Sequence, residues 1–231
     1  MKKTTLFFAL WLVAGSAAAQ FGINAGYRFN NAPGWQAVYQ LAEESVLTNH
    51  WAAGIDYWFR LKDYRVEFLP ELNFAASRNS FFAAEGASHE ANLNAYSLFF
   101  NTNFYVFDFM GDCDCPTFSK QGSFGKKGFF LQLSPGLSFL QQSVERPDAT
   151  FRSRAVALSL GAGVGFDFGI TDLITFSPML SLRYYPSVAW DSLPNISDGL
   201  VLSARDSESA ITQVYAGARL GFRLDYKNRR R

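Results

Sequence analysis

From residue 20 onward, apolar side chains alternate with polar or small ones at a period of two, the spacing that sends successive side chains of a strand to opposite faces. Residues 156 to 170 show it most cleanly. Val156, Leu158, Leu160, Ala162, Val164, Phe166, Phe168 and Ile170 point one way, and Ala157, Ser159, Gly161, Gly163, Gly165, Asp167 and Gly169 the other. The last segment repeats the rule, with Val214, Ala216, Ala218, Leu220, Phe222, Leu224 and Tyr226 on one face. Six more segments fit, at about 21–30, 51–61, 65–78, 95–109, 128–142 and 174–188. The pattern predicts eight strands of roughly 10–15 residues, longer than the ~5–6 usual in globular sheets and long enough for a tilted strand to cross a bilayer. The predicted fold is all-β, an eight-stranded antiparallel up-and-down transmembrane β-barrel.

Composition narrows the choice. The chain has 231 residues, 48% hydrophobic and 18% charged, with 17% aromatic residues of which 24 are Phe. Its mean hydropathy is −0.03. A disordered chain is excluded by the aromatic content, and a helical membrane protein by the lack of any run of ~18 apolar residues. The first residues read as a secretory signal: Lys2 and Lys3, an apolar run from Leu6 to Ala14, then Ala17-Ala18-Ala19. The expected organisation is a signal peptide over 1–19, a barrel over 20–226 and a basic tail over 227–231, with cleavage after Ala19 or Gln20. No Cys follows the signal, so a lipid-anchored start is not expected. Loss of Lys2 and Lys3 takes the 21 basic residues to 19 against 20 acidic. Lys227, Arg229, Arg230 and Arg231 hold most of what is clustered. A nucleic-acid partner, which needs a basic patch on the folded body, is set aside.

Which face meets water separates a membrane barrel from a soluble, lipocalin-like one. The polar face is rich in Gly, Ser, Ala and Asn, and after the signal the lysines Lys62, Lys120, Lys126, Lys127 and Lys227 all fall in connections or the tail. Such a face suits a narrow interior better than bulk water. It also carries Arg28, Arg60, Arg183, Arg219 and Arg223 against Asp56, Glu67, Glu71, Asp167 and Asp225. Unpaired buried charge is costly, so equal numbers point to a mutually neutralised, packed lumen. Eight strands leave an interior just wide enough for side chains, which argues against an open pore.

With the N-terminus in the periplasm, odd-numbered connections lie outside and should be long: about 31–50, 79–94, 143–153 and 189–208. The second and sixth, about 62–64 and 171–173, are short, while the fourth, about 110–127, breaks the rule. Trp51, Trp190, Tyr96, Tyr184 and Tyr226 fall near strand ends, where aromatic girdles belong. Pro70, Pro135 and Pro178 take matching places in the third, fifth and seventh strands and read as bulges or bends. Residues 36–44 could form a short helix over the barrel mouth.

The signal ending Ala-Ala-Ala-Gln, the eight alternating segments, and the local texts Phe68-Leu69-Pro70-Glu71-Leu72 and Leu133-Ser134-Pro135-Gly136-Leu137 resemble outer-membrane β-barrel proteins of the Bacteroidota, the PorT-like group. The resemblance covers the mature chain and implies a bacterial outer-membrane location; some members are accessories in protein secretion. Barrels of this kind commonly end on an aromatic residue, whereas here Lys227 to Arg231 follow Tyr226.

Candidate chemistry is sparse. Cys113 and Cys115, in Asp112-Cys113-Asp114-Cys115-Pro116, could form a disulfide in an oxidising periplasm, remain free or link a partner, or contribute to a metal contact. Two Cys and two Asp do not make a metal signature, and no cofactor is expected. His50 and His89 lie in outward loops near Ser45, Ser80, Ser88 and Glu90, so a lipid-modifying enzyme is conceivable, but no Gly-x-Ser-x-Gly elbow occurs. Gly161-Ala162-Gly163-Val164-Gly165 lies in a strand and is no dinucleotide loop. The expected function is non-enzymatic: a structural or binding barrel acting through its outer loops, or an accessory of a secretion or assembly machine. The expected partners are outer-membrane lipid and a protein at the loops or the Cys-bearing connection.

Overall fold

The computed structural model describes residues 20–39, 42–61, 64–82, 88–107, 128–171, 173–197 and 202–223. In chain order the strands are β1 (Gln20–Asn31), β2 (Gln36–Tyr39), β3 (Ala42–Ser45), β4 (His50–Tyr57), β5 (Phe59–Arg60), β6 (Val66–Phe82), β7 (Ser88–Phe104), β8 (Phe129–Glu145), β9 (Thr150–Phe166), β10 (Phe168–Gly169), β11 (Ile174–Ala189), β12 (Leu202–Ala204) and β13 (Glu208–Arg223). Because β5 continues β4 beyond Trp58, and β10 continues β9 beyond Asp167, the large sheet has eight staves. Every neighbouring pair is antiparallel, β1 pairs β13, and β11 pairs β9, so the sheet closes on itself. This is the eight-stranded barrel that the alternation predicts.

The side-chain faces fall as the lipid argument requires. Ile55, Leu158 and Leu182 are 60%, 68% and 52% exposed on the outside, whereas Arg28, Asp56 and Arg219 are 2%, 5% and 7% exposed on the inside. On β8 the outward apolar run lasts from Phe129 to Phe139. Ten steps of ~3.3 Å in a strand tilted by ~40° span about 25 Å, the height of the apolar band of an outer-membrane barrel.

The ladders are unequal. β6, β7, β8 and β9 are joined nearly along their whole lengths, from Phe82↔Ser88 to Val66↔Phe104 and from Glu145↔Thr150 to Phe129↔Phe166. β11, β13, β1 and β4 form a second long-paired group. The two groups meet at shorter seams, β4 with β6 over Ala52↔Ala75 to Asp56↔Glu71, and β9 with β11 over Leu160↔Tyr184 to Gly165↔Met179.

The three matching prolines are not bulges. Each faces a place where a ladder lapses for two residues on each strand and resumes in register: Pro70 across from Tyr57, Pro135 across from Phe100, Pro178 across from Phe166. A proline has no N–H to donate, so the lapse is where it does least harm. The register shift lies elsewhere, on β11 between Tyr185 and Val188, around Pro186.

The strands also outrun the lipid. β7 starts at Ser88 rather than near 95, and β8 runs to Glu145 rather than 142. The third and fifth connections therefore shrink to 83–87 and 146–149. Above the apolar band the outward positions turn polar (Asn92, Asn94, Gln141, Ser143) while most inward ones turn apolar (Ala91, Leu93, Leu140, Val144), so the alternation changes sense although the backbone ladder continues.

Candidate functional site

The barrel interior is divided. At the end where the termini lie, it is a hydrogen-bonded layer built from strand-borne side chains. Arg219 Nε and Nη2 donate to Asp56 Oδ2 and Oδ1 at 2.8 and 2.5 Å, a bidentate ion pair in a site closed to water. Arg28 Nη2 donates to Asn73 Oδ1 at 2.6 Å. Asn73 Nδ2 and Asn101 Nδ2 donate to Glu71 Oε1 and Oε2 at 2.8 and 2.6 Å. Ser134 bridges Asn101 Oδ1 at 2.6 Å and Arg183 Nη2 at 2.9 Å. Arg183 lies 3.4 Å from the centroid of Phe99 and Arg28 6.0 Å. An aromatic face is a favourable neighbour for a desolvated guanidinium.

Below this layer Tyr105 follows the end of β7 and turns into the barrel. Its hydroxyl lies 2.8 Å from Glu67 Oε2 and 2.6 Å from Asp167 Oδ2, and Ser177 Oγ also donates to Asp167. The Arg65 guanidinium sits 4.5 Å from the Tyr105 ring centroid. Glycine makes room for these bulky groups. A Cβ on Gly136 would stand 2.3 Å from Phe99, and one on Gly165 2.2 Å from Phe130.

Of the ten charged residues assigned to the lumen from sequence, Arg28, Asp56, Glu67, Glu71, Asp167, Arg183 and Arg219 take part in this layer. Arg60 lies opposite Glu67 at the terminal end. Arg223 ends β13 opposite Gln20, with its side chain outside what the structure describes, and Asp225 lies outside the described residues. Asp56 and Arg219 pair directly, and Arg28, Arg183 and Glu71 are joined through Asn73, Asn101 and Ser134. Tyr105, Arg65 and Phe99 were missed. All three have odd numbers, in phase with the inward positions around them; Phe99 and Tyr105 are aromatics among aromatics, which gives no sign that their face is polar, and Arg65 stands just before β6 in phase with Glu67 and Glu71.

At the other end, the distal end, the interior is apolar. Phe81, Leu93, Leu140, Val144 and Tyr185 face inward from strands that have outrun the lipid. The connections fold down onto them. Trp35 and Trp190, 0% and 1% exposed, meet edge to face at 5.1 Å. Leu193 and Ile196, in a 3-10 turn over Leu193–Ile196, and Val46, Leu47 and Leu202 complete this cap. β2, β3 and β12 form a small sheet above it. Two sequence expectations fail here. Of the segment 36–44, β2 pairs antiparallel with β3 rather than forming a helix, because Ala37 faces the cap core while Gln36 and Val38 alternate with it. Trp190 is not a girdle residue but half of the cap's aromatic pair. Trp51, Tyr96 and Tyr184 do lie on the outer surface, 71%, 47% and 48% exposed. Tyr226 lies outside the described residues.

The candidate catalytic groups are structural ties. His89 shares a hydrogen bond of 2.9 Å between Nδ1 and the Ile196 carbonyl, holding β7 to the cap. His50 Nδ1 lies 3.0 Å from the Thr48 carbonyl and 3.2 Å from Asn30 Nδ2. Ser45 Oγ donates to the Leu47 carbonyl, and Glu90 is paired with Arg78. Among the described residues no group of three or more His, Cys, Asp or Glu is placed to hold a metal. Cys113 and Cys115 lie outside the described residues.

The outside of the barrel is apolar for about 25 Å, its inside is polar or capped, and its backbone pairs around the ring. Only a closed barrel or a helix satisfies its backbone in hydrocarbon, and the chain is a transmembrane β-barrel of the bacterial outer-membrane type. No protein-family model and no curated protein matches the sequence. Solved structures with a similar fold include Ail, the attachment invasion locus protein of Yersinia pestis, in complex with the heparin analogue sucrose octasulfate. It is 13% identical, the match covers 89% of this chain and 100% of that one, and the TM-score is 0.47. Neisserial surface protein A is 12% identical over 88% of this chain and 96% of its own, with a TM-score of 0.39. The outer-membrane protease OmpT of Escherichia coli is 9% identical over 90% and 97%, with a TM-score of 0.43. A binding protein's barrel and a protease's barrel appear side by side in this set, so the likeness describes a fold and carries no activity.

Proposed function

We propose that this protein is a closed, non-enzymatic barrel of the bacterial outer membrane whose working surface is the cap on its distal, outward end. The observation that carries this reading is the cap's own hydrophobic core, in which Trp35, Trp190, Leu193 and Ile196 are buried above the lipid band. A loop tip does not need such a core; a surface held in fixed shape for a partner does. The interior supports the same reading, since the cavity among its charged side chains at the terminal end is only about 10 Å³. The test has two arms. Heat-modifiable gel mobility and recovery with the membrane fraction are expected, and recovery as a soluble periplasmic protein would overturn the location. In planar bilayers the wild type is expected to show no conductance steps, and steady channels would overturn the closed lumen.

The finer kinship with PorT-like proteins rests on the local texts around Pro70 and Pro135. It supports a second role, as an accessory of a secretion machine through the connection that carries Cys113 and Cys115. Crosslinking from either cysteine in native membranes is expected to capture one specific protein, and the absence of any adduct would sink that role.

A further inference from the structure

We propose that the outer surface of β7, β8 and β9 carries a binding site for an anionic acyl lipid, with Arg152 and Arg154 taking the phosphate of the headgroup and the apolar groove below them taking the chains. This deepens the reading of the chain as a membrane-spanning barrel and rests on it.

The register of the ladder stacks the outward residues in rows. The last row of the apolar band is Phe74–Tyr96–Phe139–Val156. One step up, the row is Ala76–Asn94–Gln141–Arg154, and the next is Arg78–Asn92–Ser143–Arg152. Hydrocarbon gives way to polar residues in a single step. A strand rises ~3.3 Å per residue, so the two rows stand within about 10 Å of the edge of the band, the depth of lipid headgroups.

Arg152 and Arg154 are exposed, and among the described residues neither guanidinium has a hydrogen-bond or carboxylate partner. Arg78, on the other flank of the same row, is by contrast engaged by Glu90 at 3.5 Å and Asn92 at 2.9 Å. The two free arginines are two residues apart on one face, a spacing of ~7 Å that lets both reach one phosphate. They border a recess of about 300 Å³ with Asn94, Gln141 and Ser143. Glu145, at its upper end, accepts a hydrogen bond from Asn92. Directly beneath, on the same strands and on β6 and β4, runs an outward groove of about 750 Å³ bounded by Leu72, Tyr96, Leu98, Leu137, Phe139 and Val156. Ala53, with only a methyl on the outer face, leaves room between these larger side chains. A cationic recess stacked on an apolar groove, at the boundary of the band, is complementary to a molecule with a charged head and hydrocarbon tails. A soluble anion would use only the upper half.

The test uses the full chain, refolded into phosphatidylcholine nanodiscs and shown by heat-modifiable mobility to be folded and inserted. Dioleoyl phosphatidate and dioleoylglycerol, which differ only in the phosphate, are added in turn, and lipid retained on the barrel after release from the disc is read by native mass spectrometry. Wild type is expected to retain the phosphatidate at least tenfold better than the diacylglycerol, with retention falling as NaCl rises. Arg152→Gln/Arg154→Gln is expected to erase the difference, while Arg146→Gln/Arg205→Gln, the same loss of two charges at ion pairs of the distal turn and the cap, leaves it intact. Equal retention of the two lipids by wild type, an unaltered preference in the double variant, or equally tight binding of inorganic phosphate would each overturn the proposal while leaving the barrel reading standing. Failure of the wild type to insert would overturn both.

Discussion

The two halves of the barrel interior solve the same problem by opposite chemistry. Towards the termini, Asp56, Arg219, Glu71, Arg183 and their amide and hydroxyl neighbours fill the lumen with strand-borne polar groups. Towards the distal end, Phe81, Leu140 and Val144 fill it with hydrocarbon and the connections supply the lid. The location of the lipid explains the difference. Where hydrocarbon surrounds the staves, burying more apolar surface inside brings little gain, because the outside already offers an apolar phase; directional bonds are what define one packing. Where the staves rise into water, the hydrophobic effect is available again, and the protein uses it to build a core.

The contrast can be broken from either side. Arg219→Leu leaves Asp56 buried and unpaired, and is expected to cost ~3–5 kcal/mol of barrel stability. Urea unfolding in lipid vesicles measures it, and Asp56→Leu/Arg219→Leu together should recover most of the loss. Trp190→Ala removes half of the cap's aromatic pair. The transfer and cavity costs come to ~3–5 kcal/mol, but here they are expected to fall on the cap. Limited proteolysis should cut between residues 33 and 47 while heat-modifiable mobility is retained. If Trp190→Ala abolishes insertion, the two halves are not separable.

Smaller effects sharpen the same line. Tyr105→Phe deletes the hydroxyl between Glu67 and Asp167, and leaving buried acceptors without their donor is expected to cost ~1–3 kcal/mol by the same urea measurement. Arg146→Gln breaks an exposed pair with Asp148 at 3.1 Å on the distal turn. The expected change is below ~1 kcal/mol, inside the range of surface ion pairs.

How much of this the sequence makes legible follows from the same division. The period of two reveals the staves because Leu158 or Leu182 outside and Ser159 or Arg183 inside differ in polarity. It identifies most of the lumen charges for the same reason. It loses β7 between 88 and 94 and the top of β8, where Asn92, Asn94, Gln141 and Ser143 lie outside and Ala91, Leu93 and Val144 inside, so that the polarity contrast reverses its sense. Of the cap it indicates only a segment over the barrel mouth near 36–44, and not the core beneath it. Trp35, Trp190 and Leu193 meet across more than 150 residues of chain, and nothing local distinguishes a buried loop tryptophan from a girdle one. Tyr105 was hidden in a different way: its inward phase was visible, but the carboxylates that make it a bridge lie on β6 and beyond β9.

The unequal seams bear on how the molecule closes during biogenesis. The sheet from β6 to β9 contains the hairpins β6–β7 and β8–β9, whose strands are joined over four or five residues of chain. The other shell must bring β1 beside β13, the first and last strands of the described chain. Joining distant segments carries the larger entropic penalty and comes late. The central hairpins are therefore the part that assembles first, and the ring is completed when the N- and C-terminal strands clasp and the two abbreviated ladders zip shut.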